Sequence, residues 1–340
     1  MDLGRVVNAL MKVSKANVLY RTVASCSGLE SLKSFEEPDD ILVLHGPPRS
    51  SLTNFSYRGG ADSACFVNCI LAGHADTLED IIMSTGSGST DTTTADLMAA
   101  LPRLRSLQCD NMFLGLEAVA KCKTLRDVSI ALYKNLGEIE MVEDFLREAN
   151  QLQRVHLVYC SEDYTVEYLE ALVEAMGSSR RSRVERLCLE DFEDVRPLVR
   201  ALPSLPALRH LDVTSAPLDD ELLLSITPAT APALRRLELV VERDTCPHAW
   251  IHRGAVRATL IANTSLHIQL CCRVGDECDC ETCSEGCHRE VKWEEENKIG
   301  LFSHDPDKCP SPEDHADDID WQRDYAYGHP AGGSCTWMHT

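Results

Sequence analysis

The stretch LRRLEL (residues 234–239) places three apolar residues at its first, fourth and sixth positions. The same pattern occurs seven times upstream, as LTNFSY (52–57), LEDIIM (78–83), LRSLQC (104–109), LRDVSI (125–130), LQRVHL (152–157), VERLCL (184–189) and LRHLDV (208–213). These eight copies begin 21 to 32 residues apart, and weaker copies occur at LESLKSF (29–35) and SLHIQL (265–270). Self-similarity at a nearly constant period predicts a repeat architecture, with each copy forming a short strand.

Segments with apolar residues three or four positions apart separate these strands and predict helices. They cover residues 94–104, 141–152, 165–179, 194–205 and 220–234. Thr94, Thr165 and Asp194 are the predicted helix caps. A single strand–helix unit cannot bury its apolar face, so the units must stack on one another. The sequence therefore predicts an α/β solenoid, a curved parallel sheet with outer helices. A two-layer doubly wound α/β domain is the alternative, but it does not keep one strand motif at a near-constant period.

On these copies the chain resembles the leucine-rich-repeat superfamily, and in particular the strand-and-helix repeats of ribonuclease inhibitor and of F-box proteins. The resemblance covers residues 25–270. Residues 1–24 are then a helical cap or partial repeat, and residues 271–340 form an acidic, Cys- and Trp-containing tail, either a cap or largely irregular. The family usually places Asn or Cys three positions after the last apolar residue of the strand. Only Cys160 fits here, so other groups must satisfy the remaining turns.

Composition limits the partners and the compartment. The net charge is −21, and residues 271–340 hold 17 acidic against 6 basic residues. An acidic chain repels phosphate backbones, which predicts no nucleic-acid partner. The N-terminus has no uninterrupted apolar segment and no run reaches the length of a membrane span, which predicts neither a signal peptide nor a membrane contact. The expected compartment is the cytoplasm or nucleus, with reduced cysteines.

Catalytic motifs are absent from the sequence. It contains no HExxH, no GxxxxGK[ST] and no GxSxG. The Gly/Ser-rich stretch STGSGST (84–90) follows a predicted strand and is interpreted as an inter-repeat loop. We therefore expect the protein not to be an enzyme.

Residues that alternate with the buried apolar positions of each strand should point to solvent or to a partner on the concave face. The positions flanking the second apolar residue become rich in arginine and histidine in the later repeats. The predicted partner-binding residues are Arg154, His156, Arg186, His210, Asp212, Arg236 and Glu238. Such a mixed surface suits an acidic or polar protein segment. The alternative is that these are solvated strand positions that form cross-strand ion pairs.

The tail contains CDCETCSEGCH (278–288), a crowded group of soft metal ligands. Zinc prefers four thiolate or imidazole ligands in a tetrahedron. The predicted zinc ligands are Cys278, Cys280, Cys283 and Cys287, and further candidates downstream are His304, Cys309 and His315. The alternative is a set of reduced cysteines with no metal, and hence no cofactor.

Three functional hypotheses follow. The first is a non-catalytic scaffold for protein–protein interaction that binds on the concave face; the resemblance to F-box proteins implies a substrate-recognition subunit of a ubiquitin ligase. An F-box occupies roughly 40–50 residues before the repeats, and residues 1–25 are too short to hold one. The second is an inhibitor-type module that sequesters a basic protein. The third is a zinc-binding protein centred on the tail.

Overall fold

The protein is described by a computed structural model that covers most of the repeats. The described residues are 28–34, 51–59, 64–85, 92–111, 113–133, 136–160, 167–178, 182–192, 194–214, 220–241, 250–272, 298–309 and 335–340. They fall into two compact units, divided between Ser182 and Arg183.

The first unit alternates strands and helices along the chain. Its described strands are β1 (Ser31–Ser34), β2 (Asn54–Gly59), β3 (Asp80–Thr85), β4 (Ser106–Asp110), β5 (Asp127–Leu132) and β6 (Arg154–Tyr159). Its described helices are α1 (Ala64–Gly73), α2 (Thr92–Ala99), α3 (Leu116–Val119), α4 (Leu136–Glu148) and α5 (Glu167–Gly177). Each strand from β1 to β5 pairs in parallel with the next strand in the sequence. Each helix packs on the next, so the helices form one layer.

The second unit also alternates strands and helices, and the strand direction reverses after β10. Its described strands are β7 (Arg186–Glu190), β8 (His210–Thr214), β9 (Arg236–Val241), β10 (His267–Cys272), β11 (Lys298–Phe302) and β12 (Cys335–His339). Its described helices are α6 (Arg196–Ala201), α7 (Asp220–Ser225) and α8 (Gly254–Ala262), with 3₁₀ turns at Leu202–Ser204 and Pro306–Lys308. Strands β7 to β10 are parallel, β11 runs antiparallel to β10, and β12 is parallel to β11.

The register of the strands confirms the predicted repeat. The second apolar residue of each copy aligns with that of its neighbour within each unit. In the first unit the aligned residues are Leu32, Phe55, Ile81, Leu107, Val128 and Val155. In the second unit they are Leu187, Leu211, Leu237 and Ile268. Sequential pairing of neighbouring strands excludes a doubly wound sheet. The fold is a leucine-rich-repeat solenoid of the α/β class.

The apolar positions of the motif form the core between strands and helices. The first apolar residue is fully buried in successive copies, at Leu52, Leu78, Leu104 and Leu125. Burial of each such side chain contributes about 1.5–3 kcal/mol relative to exposure. Because the same position is buried in each copy, the core is continuous from one repeat to the next.

A repeated backbone contact sets the strand spacing. The carbonyl of Thr53 accepts from the N–H groups of Glu79 and Asp80, at 2.9 and 3.0 Å. One repeat later, the carbonyl of Glu79 accepts from Arg105 and Ser106, at 2.8 and 3.1 Å. The same two-donor contact recurs in the second unit, where the Arg209 carbonyl accepts from the next repeat. This contact joins the residue after the first apolar position to the start of the next strand.

The predicted tail contributes to the second unit through β11 and β12. Strand β10 crosses the predicted boundary after residue 270. Residues 1–24 lie outside the described part of the chain, so their predicted role as a cap stays a prediction. No helix among the described residues is long and apolar enough to cross a membrane.

Candidate functional site

Two rows of side chains cross the strands of the first unit in register. Row 1 is the position before the second apolar residue, and row 2 is the position after it. Row 1 contains Asn54, Asp80, Ser106, Asp127 and Arg154; row 2 contains Ser56, Ile82, Gln108, Ser129 and His156. All of row 1 is exposed or half-buried, as are the first three members of row 2. This face of the first unit is therefore open and largely polar.

An ion pair joins the last two residues of row 1 in the first unit. Asp127 and Arg154 are register partners on β5 and β6, and the Arg154 guanidinium donates to both carboxylate oxygens of Asp127. The arginine side chain is 43% exposed and the aspartate 14%. Such a partly exposed pair contributes about 0.2–1 kcal/mol. Asp127 and Arg154 thus form a cross-strand ion pair between β5 and β6.

Row 2 of the first unit ends in a buried hydrogen bond. Ser129 Oγ and His156 Nδ1 are 3.0 Å apart, and both side chains are buried. His156 is thus tied to its strand neighbour and is not an open contact for a partner.

The rows of the second unit are more buried. Row 1 there contains Arg186, His210, Arg236 and His267, and row 2 contains Cys188, Asp212, Glu238 and Gln269. Only Arg186 and His210 are half-exposed. Arg236 is 3% exposed and donates from Nε to Gln269 Oε1 at 3.0 Å. This hydrogen bond joins row 1 to row 2 across β9 and β10.

Buried acids surround Cys188 in row 2 of the second unit. Burial raises the pKa of the Cys188 thiol, and the Asp212, Glu190 and Glu238 carboxylates raise it further. The thiol therefore stays protonated at neutral pH, which makes Cys188 a poor nucleophile or metal ligand.

The structure places the predicted partner-binding residues as follows. Arg154 and His156 lie in the first unit, and the other five lie in the second. Within the second unit His210 is the register partner of Arg236, and Asp212 that of Glu238. His156, Asp212, Arg236 and Glu238 are buried, so these four side chains are not open to solvent. A role in partner binding stays a prediction.

Three row residues were missed by the sequence reasoning. Asp127, the partner of Arg154, occupies the same strand position one repeat earlier, so the motif could have identified it. His267 and Gln269 occupy rows 1 and 2 of the weaker copy SLHIQL. Extending rows 1 and 2 by one repeat in the sequence identifies both residues.

The predicted zinc ligands Cys278, Cys280, Cys283 and Cys287 lie outside the described residues, as does His315. Among the residues that are described, His267, His304 and Cys309 form a group whose donor atoms all lie within 4.8 Å of one another. Two downstream candidates from the sequence thus meet a histidine of β10. Burial lowers the pKa of His304, and the nearby His339 lowers it as well.

Comparison with known proteins adds little to this description. No protein-family model matches the chain. No curated protein matches it either. One similar solved structure is the crystal structure of a TLR13–ssRNA13 complex, with 15% sequence identity and a TM-score of 0.36. The match covers 73% of this chain and 40% of that one, so this chain spans less than half of that protein. The leucine-rich-repeat fold rests on the strand register.

Proposed function

We propose that the chain is a non-catalytic scaffold that binds a partner protein on the open strand face of its first unit. The observation that carries this proposal is the in-register alignment of row 1. Five polar side chains stand side by side there, and each is at least partly exposed. Neighbouring strands lie about 4.8 Å apart, so the row is about 19 Å long. That length fits an extended segment of about six residues.

The chemistry of this row favours a partner with basic or hydrogen-bonding side chains. Asp80 and Asp127 supply carboxylates, and the charge of Asp127 is shared with Arg154. Asn54 and Ser106 add neutral donors and acceptors. The net charge of −21 attracts a basic protein from a distance. These features favour the inhibitor-type hypothesis over an acidic segment bound by arginines, because Arg236 is buried.

The experiment identifies the partner by cross-linking and mass spectrometry and then measures the affinity of the purified partner. Asp80→Lys reverses a half-buried charge in row 1 and should weaken binding by about tenfold or more. Glu140→Lys makes the same charge change on the exposed surface of α4 and serves as the matched control. Equal affinity of the Asp80→Lys variant and the unaltered protein, or an equal loss in both variants, would contradict the proposed surface.

Salt dependence tests the electrostatic part of the proposal. Affinity should fall as salt rises, because the attraction between exposed charges is screened within about 8–10 Å at physiological ionic strength. Single-stranded RNA is the contrasting probe and is expected not to bind, since an acidic chain repels phosphates. Saturable RNA binding would replace the protein-partner proposal by a nucleic-acid one.

A narrower proposal is that the scaffold is a substrate-recognition subunit of a ubiquitin ligase. It is supported by the resemblance of the repeats to those of F-box proteins. Co-precipitation with the adapter on which F-box modules dock is the expected result. Clean absence of that adapter would retire the ligase version and leave the scaffold proposal intact.

A further inference from the structure

Three soft-metal donors converge at one end of the second unit. His267 lies at the start of β10, while His304 and Cys309 follow β11 in the chain. Their ligand atoms all lie within 4.8 Å of one another, and Cys309 Sγ is 3.4 Å from His267 Nε2. We propose that these residues bind a divalent transition-metal ion, with zinc the expected occupant. None of these three residues belongs to the cysteine-rich sequence at 278–288.

The antiparallel pairing of β11 with β10 brings these three residues together. Ile268 pairs with Leu301, so β11 ends beside the start of β10 and its next residues pass His267. Ser303 Oγ donates to the Leu260 carbonyl at 2.7 Å, which fixes the chain against α8 just before His304. The path of the backbone thus places His304 next to His267.

A 3₁₀ turn after His304 then brings the chain back to His267. The Asp305 carboxylate accepts from the Asp307 N–H at 3.2 Å, and the Asp305 carbonyl accepts from the Lys308 N–H at 2.9 Å. The Cys309 N–H donates to the Pro306 carbonyl at 3.3 Å. These three bonds hold residues 305–309 in a tight turn, so Cys309 comes back to within reach of His267. Four residues separate the two later ligands, as in many zinc sites.

The tautomer of His267 suits a metal. His267 Nδ1 is 3.2 Å from the Arg235 carbonyl oxygen, which can only accept a hydrogen bond. Nδ1 therefore carries the proton, and the Nε2 lone pair faces Cys309. Metal-binding histidines commonly use their other nitrogen in this way, to hold the ring in place.

One donor–donor distance matches a tetrahedral site, and all three donor atoms lie within 4.8 Å of one another. Zinc binds imidazole nitrogen at about 2.0–2.1 Å and thiolate sulfur at about 2.3 Å. Two ligands of a tetrahedron then stand about 3.3–3.7 Å apart. The 3.4 Å between Cys309 Sγ and His267 Nε2 falls within that range. The His267 and His304 rings are 4.8 Å apart between centroids and nearly perpendicular, so both can direct a nitrogen to one point.

Aromatic rings pack beside the two histidines, while His304 and Cys309 are half-buried. His267 is fully buried, the Trp337 ring lies 5.6 Å from its centroid, and the Phe302 ring lies 5.1 Å from that of His304. Low dielectric strengthens the attraction between a cation and a thiolate. Imidazole and thiolate ligands favour zinc or copper over calcium or magnesium. A water molecule or a further donor completes the fourth position of the tetrahedron.

Metal binding has a defined proton balance. The Cys309 thiol loses its proton to solvent, and the thiolate binds the ion, while both histidines bind as neutral imidazoles. No oxidant or reductant is needed. A simple hydrogen bond between the Cys309 thiol and His267 would give the same distance without any metal, and this is the alternative that the experiment addresses.

The experiment uses the full chain with Cys278, Cys280, Cys283 and Cys287 changed to serine, which removes the other predicted zinc ligands. On that background we measure bound metal by elemental analysis and titrate Co²⁺, which gives a thiolate charge-transfer band when sulfur is a ligand. One equivalent of metal per chain and a saturable thiolate band are expected. Cys309→Ser should abolish the band, and His304→Gln should weaken cobalt binding by about tenfold or more.

Matched controls separate binding from folding. Cys160→Ser removes an exposed cysteine of the first unit and should leave the metal content and the band unchanged. Cys309 and His304 are half-buried, so their substitution should preserve the far-UV circular dichroism spectrum. Zn²⁺ should raise the melting temperature of the protein with the four serine substitutions (the parent), but not that of the parent carrying Cys309→Ser. No stoichiometric metal in the parent, or an unchanged band in Cys309→Ser, would overturn the proposal.

Discussion

At the scale of single residues, the described cysteines differ in burial. Cys109, Cys122 and Cys188 are buried, Cys65 and Cys160 are exposed, and the remaining three, Cys69, Cys309 and Cys335, are intermediate. Burial raises the pKa of Cys109, and the charge of Asp110 raises it further. A raised pKa means less thiolate at a given pH and hence slower reaction with electrophiles.

We therefore predict that an alkylating reagent at pH 8 labels Cys65 and Cys160 in the folded protein and spares the three buried thiols. Site-resolved mass spectrometry over a time course measures this directly. In urea all five should react at similar rates, which is the control. Labelling of Cys188 in native buffer at the rate of Cys160 would contradict its burial.

The row residues show what sequence alone can and cannot predict at this scale. The motif places Arg154 and Arg236 at the same row position, and the register confirms that assignment in each unit. Yet Arg154 is 43% exposed as a side chain and Arg236 is buried against Gln269. A motif specifies which face of a strand a residue occupies. It does not specify what covers that face, because the covering groups come from distant parts of the chain.

At the scale of elements, the turns depart from the pattern of the resembled family. Asn111 lies one position before the expected ladder residue, and its side chain binds the neighbouring repeat through both amide atoms. Nδ2 donates to the Tyr133 carbonyl at 2.8 Å, and Oδ1 accepts from the Tyr133 N–H at 2.9 Å. The family's turn chemistry is therefore present in this copy but displaced by one residue. A rule that examines one fixed position after each strand cannot detect Asn111, because the turn length varies between copies.

Helix boundaries were predicted less well than strands. Helix α2 begins at Thr92, so the prediction that Thr94 is its cap is wrong. Thr94 is buried within the helix and donates from Oγ1 to Asn68 Oδ1 on α1 at 2.7 Å. Asp194 is not the N-cap of α6 either, because that position is Val195, but its carboxylate accepts from the Arg196 N–H at 2.9 Å. Thr165 lies outside the described residues. A threonine satisfied by a neighbouring helix cannot be told from a cap by local sequence.

A glycine in β11 gives a prediction at the element scale. A Cβ at Gly300 would lie 2.1 Å from Cε3 of Trp337, its register partner on β12, because the indole ring lies across the strand there. Gly300→Ala must displace that ring, and such overpacking costs about 1–3 kcal/mol. We expect the midpoint of urea unfolding to fall accordingly.

Gly254 provides the matched control for this substitution. It begins α8, and a Cβ there would meet nothing within 4 Å. Gly254→Ala should leave stability unchanged or raise it by up to about 1 kcal/mol, because alanine favours the helix. Equal stability of Gly300→Ala and the unaltered protein would mean that Trp337 is not packed over β11.

At the scale of the whole molecule, a repeat protein is stabilised by contacts between neighbouring repeats. In the second unit the chain closes this series with an antiparallel strand, β11, and not with another parallel copy. Leu301 on β11 is fully buried and is the register partner of Ile268 on β10. The end of the unit therefore depends on residues that come after the last recognisable motif. Nothing in the motif predicts this, because the pairing direction changes where the repeat stops.

The last prediction follows from this nearest-neighbour coupling. Leu301→Ala removes buried apolar volume and should cost about 2–5 kcal/mol. Hydrogen exchange should accelerate most in β10, β11 and β12, less in β9 and least in β7, because each repeat transmits the loss only to the next. Leu224→Ala is the control, since Leu224 is 54% exposed on α7 and its truncation should leave exchange unchanged. Uniform acceleration from β7 to β12 would show that the second unit unfolds as one cooperative block, and the nearest-neighbour description would then be wrong for this unit.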